Sequence, residues 1–119
     1  MQKFLVLYMA PASTMEEWMK TDPEKRKADE EKMKKEWGEW MAAHKAMLSG
    51  MTAGAGKTKR VTTEGVVDVK NDIMLYSVVE ADSNEAAAEA FKNHPHFGIP
   101  GASIEIMPIN PLPGMEGMQ

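Results

Sequence analysis

Three histidines, His44, His94 and His96, are the side chains best suited to proton transfer near neutral pH. His44 falls one turn after Trp40 and one turn before Leu48, on the apolar stripe of a long helical segment. A histidine there is either a hydrogen-bonded core or cleft-edge residue, or a general acid or base. The second role needs an acceptor to orient the ring, and Asp68, Asp72 and Glu80 are the acidic candidates. His94 and His96 flank Pro95 where a helix gives way to a last strand. They either terminate the helix or form a pocket rim that neutralises an anion. The candidate catalytic residue is therefore His44, and the candidate ligand-binding residues are His94, His96, Trp40 and Lys59. The histidine spacing matches no recognised metal motif, and no cysteine assists, so neither a metal nor a cofactor is expected.

The segment Gly50 to Thr58, ending Gly56-Lys57-Thr58, resembles a phosphate-binding loop. That motif requires a glycine five positions before the Gly-Lys pair, where Met51 stands, and it joins a strand to a helix. Here a helix precedes the loop and a strand is expected after it. A flexible hairpin or lid is the better reading, with weak anion contact through Lys57, Lys59 and Arg60.

Composition sets the bounds. A chain of 119 residues, 43% of them apolar, can build one domain with a real core. The formal charge of −4 argues against nonspecific nucleic-acid binding. The lack of cysteine suits a reducing, cytoplasmic setting. The apolar run Phe4 to Ala10 is too short to span a bilayer, so no membrane association is expected. Twelve methionines suit an adaptable core or contact face.

The patterning predicts a buried strand over 3–9, a short helix from Thr14 to Lys20 capped by Ser13, and a long helix from Asp22 to Leu48. Met33, Trp37, Trp40, Met41, His44, Met47 and Leu48 form the apolar stripe of the long helix. Its charged face offers the pairs Glu30–Lys34 and Glu31–Lys35. Two short strands, 59–62 and 66–69, a strand over 73–80, a helix capped by Asp82 with Glu85 three positions on, and a strand over 103–109 complete the pattern. Residues 1–110 form the domain and 111–119 a Pro/Gly-rich tail. The order β-α-β-β-α-β predicts an α+β, ferredoxin-like antiparallel sheet with helices on one face. Its other face needs a cover, and a second copy of the chain is the simplest one.

Lys3-Phe4-Leu5-Val6-Leu7-Tyr8, Gly56-Lys57-Thr58, Phe91-Lys92-Asn93-His94-Pro95-His96 and Ile104-Glu105-Ile106-Met107-Pro108 together resemble the YCII-related domain family, in its DGPF-like branch. The Asp-Gly-Pro-Phe sequence that names that branch is absent. The resemblance implies a homodimer of the dimeric α/β-barrel type with a pocket between sheet and helices. It also implies a histidine–aspartate acid–base pair, of which His44 matches the histidine. The segment often reading Asp-Pro elsewhere reads His94-Pro95 here. The expected function is a small-ligand-binding or regulatory dimer for a small polar or anionic molecule. The alternatives are an enzyme using His44 and a structural protein-interaction module.

Overall fold

The computed structural model describes residues 1–114. The chain runs β1 (Gln2–Met9), α1 (Ala12–Met19), α2 (Pro23–Ala43), β2 (Ala53–Gly54), β3 (Thr58–Thr62), β4 (Gly65–Val69), β5 (Ile73–Ala81), α3 (Asn84–Ala90) and β6 (Ser103–Pro108). Short 3-10 turns at Lys45–Met47 and Pro95–Gly98 follow α2 and α3. The elements match the apolar patterning closely, but the way the strands combine does not match the expectation.

The fold is α+β with antiparallel sheets, and it corrects the expected ferredoxin-like sheet of the dimeric α/β-barrel type. Strands divide between an open four-stranded sheet, in the order β2-β5-β1-β6, and a separate two-stranded ribbon of β3 and β4. No sheet closes into a barrel among the described residues. The cause lies in the middle of the chain. Residues 59–62 and 66–69, expected as a small hairpin splitting the second strand of the main sheet, do pair with each other, from Thr58↔Val69 to Thr62↔Gly65, but as a ribbon separate from that sheet. The edge of the main sheet is taken instead by Ala53 and Gly54, inside the expected flexible loop, which pair with Tyr76 and Leu75.

β1 is the central strand. It pairs along its length with β5 and over Phe4 to Met9 with β6, with a register shift at Tyr8/Met9. Alternation along β1 and β5 sends Phe4, Val6, Tyr8, Ser77, Val79 and Ala81 to one face, where they are buried. Trp40 of α2, Ala87 of α3 and Phe91 just beyond it cover that face.

Helix boundaries moved for identifiable reasons. α1 begins after Pro11, which sets the first turn without a side-chain cap, so Ser13 is inside the helix. Asp72 Oδ1 accepts from Ala12 N–H at 3.3 Å instead. Asp22 caps α2 through Glu24 N–H, as its sequence position indicates. α2 stops at Ala43, short of the expected Leu48, and Leu48 bridges to Val79 at the sheet. α3 is capped one residue later than expected, by Ser83 Oγ accepting from Ala86 N–H at 3.1 Å. The pairs Glu30–Lys34 and Glu31–Lys35 do not close; ion pairs among the described residues are Lys59–Asp68, Lys70–Glu16 and Lys92–Glu89. Exposed charges on a solvated helix gain little by pairing. Residues 111–114 of the tail are exposed, and the rest of it lies outside the described residues.

The turn into β6 depends on Gly101, at φ +76, where an added Cβ would meet the Pro11 ring at 3.0 and 3.1 Å. Gly38, in the middle of α2, has nothing within 4 Å of an added Cβ. Opposite outcomes follow in urea unfolding. Gly101→Ala lowers stability by about 2 kcal/mol through the left-handed backbone and the Pro11 contact. Gly38→Ala raises it by about 0.5–1 kcal/mol through helix propensity.

Candidate functional site

The three histidines gather around one aromatic cluster. β1 supplies Tyr8, α2 supplies Trp37 and Trp40, and the chain after α3 supplies Phe91. The His94 ring sits 4.4 Å from Trp37, 4.5 Å from Trp40, 5.3 Å from Tyr8 and 5.7 Å from Phe91, centroid to centroid. Pro95 cannot continue a helix, so the chain turns at His94 and carries its ring into this cluster. His96 is two residues on and packs edge-on against Tyr8 at 5.5 Å.

Each ring has a defined hydrogen bond. His94 Nδ1 accepts from the His96 backbone N–H at 2.9 Å, which puts the ring proton of the neutral form on Nε2. That Nε2 is buried without a hydrogen-bond partner and is enclosed by aromatic rings. His96 Nε2–H donates to the Met9 carbonyl at 2.9 Å, and its Nδ1 is left unpartnered. The His94 ring thus closes the 3-10 turn on itself, and the His96 ring bolts that turn to the end of β1. Both are almost fully buried, at 2% and 0% exposure.

Burial therefore favours the neutral rings. The His94 pKa is lowered to about 4, first by burial and then by the neighbouring His96 and His44. Burial also lowers that of His96, against the opposing pull of the Met9 and Ser103 carbonyls. Tyr8 is raised by burial, with its hydroxyl 3.2 Å from Ser77 Oγ working the other way.

His44 terminates α2 half-buried and stacks on Trp40 at 4.3 Å with 19° between the planes. Its Nδ1–H donates to the Trp40 carbonyl at 2.9 Å, one turn back. Trp40 in turn donates from Nε1 to the Ala90 carbonyl at 3.3 Å, linking α2 to the end of α3. None of the acidic candidates meets His44. Asp68 is held by Lys59 across the ribbon at 2.5 Å, Asp72 receives the Ala12 N–H, and Glu80 lies opposite Lys3 on the other face of the sheet. No group of three or more metal-ligating side chains occurs among the described residues.

His44, His94, His96 and Trp40 are brought together, but as packing. Lys59 is elsewhere, exposed on the ribbon. A cavity of about 750 Å³ elsewhere on the molecule has no histidine in its lining. Its walls are α1, the ribbon and the start of β5, with Met15, Glu16, Lys57, Lys70, Ile73 and Met74 among the lining residues. Glu16 and Lys70 join across it at 2.6 Å, and this bond lowers the carboxyl pKa and raises that of the amine. The sequence marked Met15 as apolar and Lys57 as a loop cation. It did not show that α1 and the ribbon would face each other.

No protein-family model matches the sequence, and no curated protein is similar to it. The chain is therefore not identified as a member of the YCII-related domain family or its DGPF-like branch. The small-ligand-binding or regulatory role attached to that resemblance falls with it. The segments that suggested it are a strand opening, a hairpin start and a proline-terminated helix. Many α+β chains need those for local structural reasons alone. Among the described residues, no helix is long and apolar enough to cross a membrane.

The neutral, buried histidines make stability depend on pH. Between the ordinary histidine pKa of 6.5 and about 4, the unfolded chain holds a proton that folded His94 refuses. Stability therefore falls as pH falls through this window, by up to about 1.4 kcal/mol per pH unit for each such ring. Urea unfolding at successive pH values should show this slope. His94→Gln, which keeps an acceptor for His96 N–H, should shallow it to the part due to His96. A wild-type midpoint that is flat between pH 7 and 4.5 contradicts the assignment.

Proposed function

We propose that the chain works as a homodimer, associating through the face of the main sheet that carries no helix. The observation that supports this reading is the block of Leu5, Leu7, Val78 and Met107 on that face. The strand register sets Leu5 beside Val78 and Met107, and Leu7 beside Tyr76. The four aliphatic side chains are only half-buried, and Tyr76 is 42% exposed. None belongs to the core on the opposite face. Contiguous apolar surface of this kind is costly to leave in water, at about 25 cal/mol per Å².

The charges favour a second copy over an unrelated partner. Lys3 and Glu80 stand opposite each other toward one end of the block, and Glu105 lies beside Leu7 toward the other. Two copies related by a two-fold axis that reverses strand direction set each Lys3 near the Glu105 end of the other. The same apolar block then meets itself, which is the condition for an isologous interface. The flat area available falls at the small end for an interface. The 8 residues of β1, at about 3.3 Å each, and four strands about 4.8 Å apart give a footprint on the order of 500 Å² before side-chain relief. One side of a standard interface buries about 800 Å². Packed sheets also keep their strands within about 30° of each other, which such a dimer allows.

In this reading the histidine–aromatic cluster holds the helical layer rigidly against the sheet. A cytoplasmic setting suits a chain without cysteine, and the net negative charge does not suit nucleic acid.

Light scattering coupled to size exclusion tests the proposal. The wild-type chain should elute at about twice its 13.2 kDa mass. Leu7→Glu, and independently Leu5→Lys, should elute as monomers with unchanged far-ultraviolet circular dichroism. A wild-type chain that is monomeric at every concentration tested overturns the reading.

A further inference from the structure

The Gly56-Lys57-Thr58 segment and two of the twelve methionines meet at the cavity between α1, the ribbon and the start of β5. Its volume of about 750 Å³ is within the ordinary range for small-molecule sites, roughly 300–1,000 Å³. Apolar side chains dominate one part of it: Met15 from α1, and Ile73 and Met74 from β5. Methionine is unbranched and polarisable, so Met15 and Met74 can adjust to a flexible apolar body.

Three lysines line the same space, and their partners determine what charge it can take. Lys59 is paired with Asp68 across the ribbon, and Lys70 with Glu16 of α1. Lys57 has no ion-pair partner among the described residues. It sits in the loop before β3 rather than at a helix start, so the backbone cradle that a nucleotide's phosphates need is missing. One uncommitted cation beside an apolar wall matches one negative charge on an apolar body.

We infer that this cavity binds a small amphipathic monocarboxylate, with its apolar body on Met15, Ile73 and Met74 and its carboxylate on Lys57. The Glu16–Lys70 pair, exposed at the rim, links α1 to the chain leaving β4. The site shares no lining residue with the apolar block of Leu5, Leu7, Val78 and Met107, and its test does not require dimer formation.

Decanoate, below its micellar concentration, is the probe. With methyl-labelled methionine in the full chain, decanoate should shift the Met15 and Met74 signals saturably. Lys57→Gln should raise the Kd about fivefold, the scale of one solvent-accessible charge contact. Decanol should bind more weakly than decanoate to wild type. The inference is overturned by the absence of saturable shifts at both methyls, or by equal affinity in Lys57→Gln. Shifts confined to Met107 would also overturn it, since they would place the probe on the sheet face. A monomeric wild-type chain that still shows the Met15 and Met74 shifts would sink the dimer alone and leave this site standing.

Discussion

The packing of Tyr8, Trp37, Trp40 and Phe91 around the His94 ring holds the two layers of this molecule together. β1 brings Tyr8, α2 brings the two indoles, and the end of α3 brings Phe91 and the turn carrying His94. Aromatic side chains bury much area at a small entropic cost, which matters in a chain of this size. The two polar links in this cluster are equally local in consequence. Trp40 to Ala90 ties helix to helix, and His96 to Met9 ties the turn to the central strand. Only the C-terminal half of α2 takes part; its first three turns are largely exposed and charged, with Arg26 lying against Trp18 and Met19 of α1.

Burying two imidazoles there has a chemical consequence. The same enclosure that makes His94 good packing removes it from acid–base work near neutrality, because the charged ring would lose its hydration without gaining a carboxylate. His44 is more accessible, but its hydrogen bond goes back to its own helix. Imidazoles and open volume are thus on different parts of the molecule: histidines in the core, lysines and carboxylates around the cavity. This separation weakens the histidine–aspartate reading more than any single distance does.

Much of the local structure was legible in the residues. The run Phe4 to Met9, the Ile73 to Glu80 strand and the Asp22-Pro23 helix start all appear within a residue or two of their expected positions, whereas α3, expected to run to Asn93 or His94, ends at Ala90. The first three are short-range effects of hydrophobic alternation, missing N–H groups and capping oxygens, and the chain states them directly. The cap of α3 moved by one residue because Asp82 and Ser83 are both competent, and only the backbone at Ser83 presents its oxygen to Ala86 N–H. Grouping the strands was harder. Residues 58–69 carry good strand propensity, but propensity does not say which edge a strand will join. They close on themselves, while two small residues, Ala53 and Gly54, occupy the sheet edge.

Periodicity, charge and turn chemistry therefore settled most of the helices and strands, but not the short edge strand Ala53–Gly54, and composition that cysteine chemistry is absent. These depend on residues close in sequence. Chain folding settled the rest: the enclosure of His94 and His96, the isolation of His44 from every acidic candidate, and the meeting of α1 with the ribbon around Lys57. Those features join residues up to 87 positions apart, as in the bond from His96 to Met9. A contact at that separation depends on how both segments pack against the rest of the sheet, and no local pattern in either one records it.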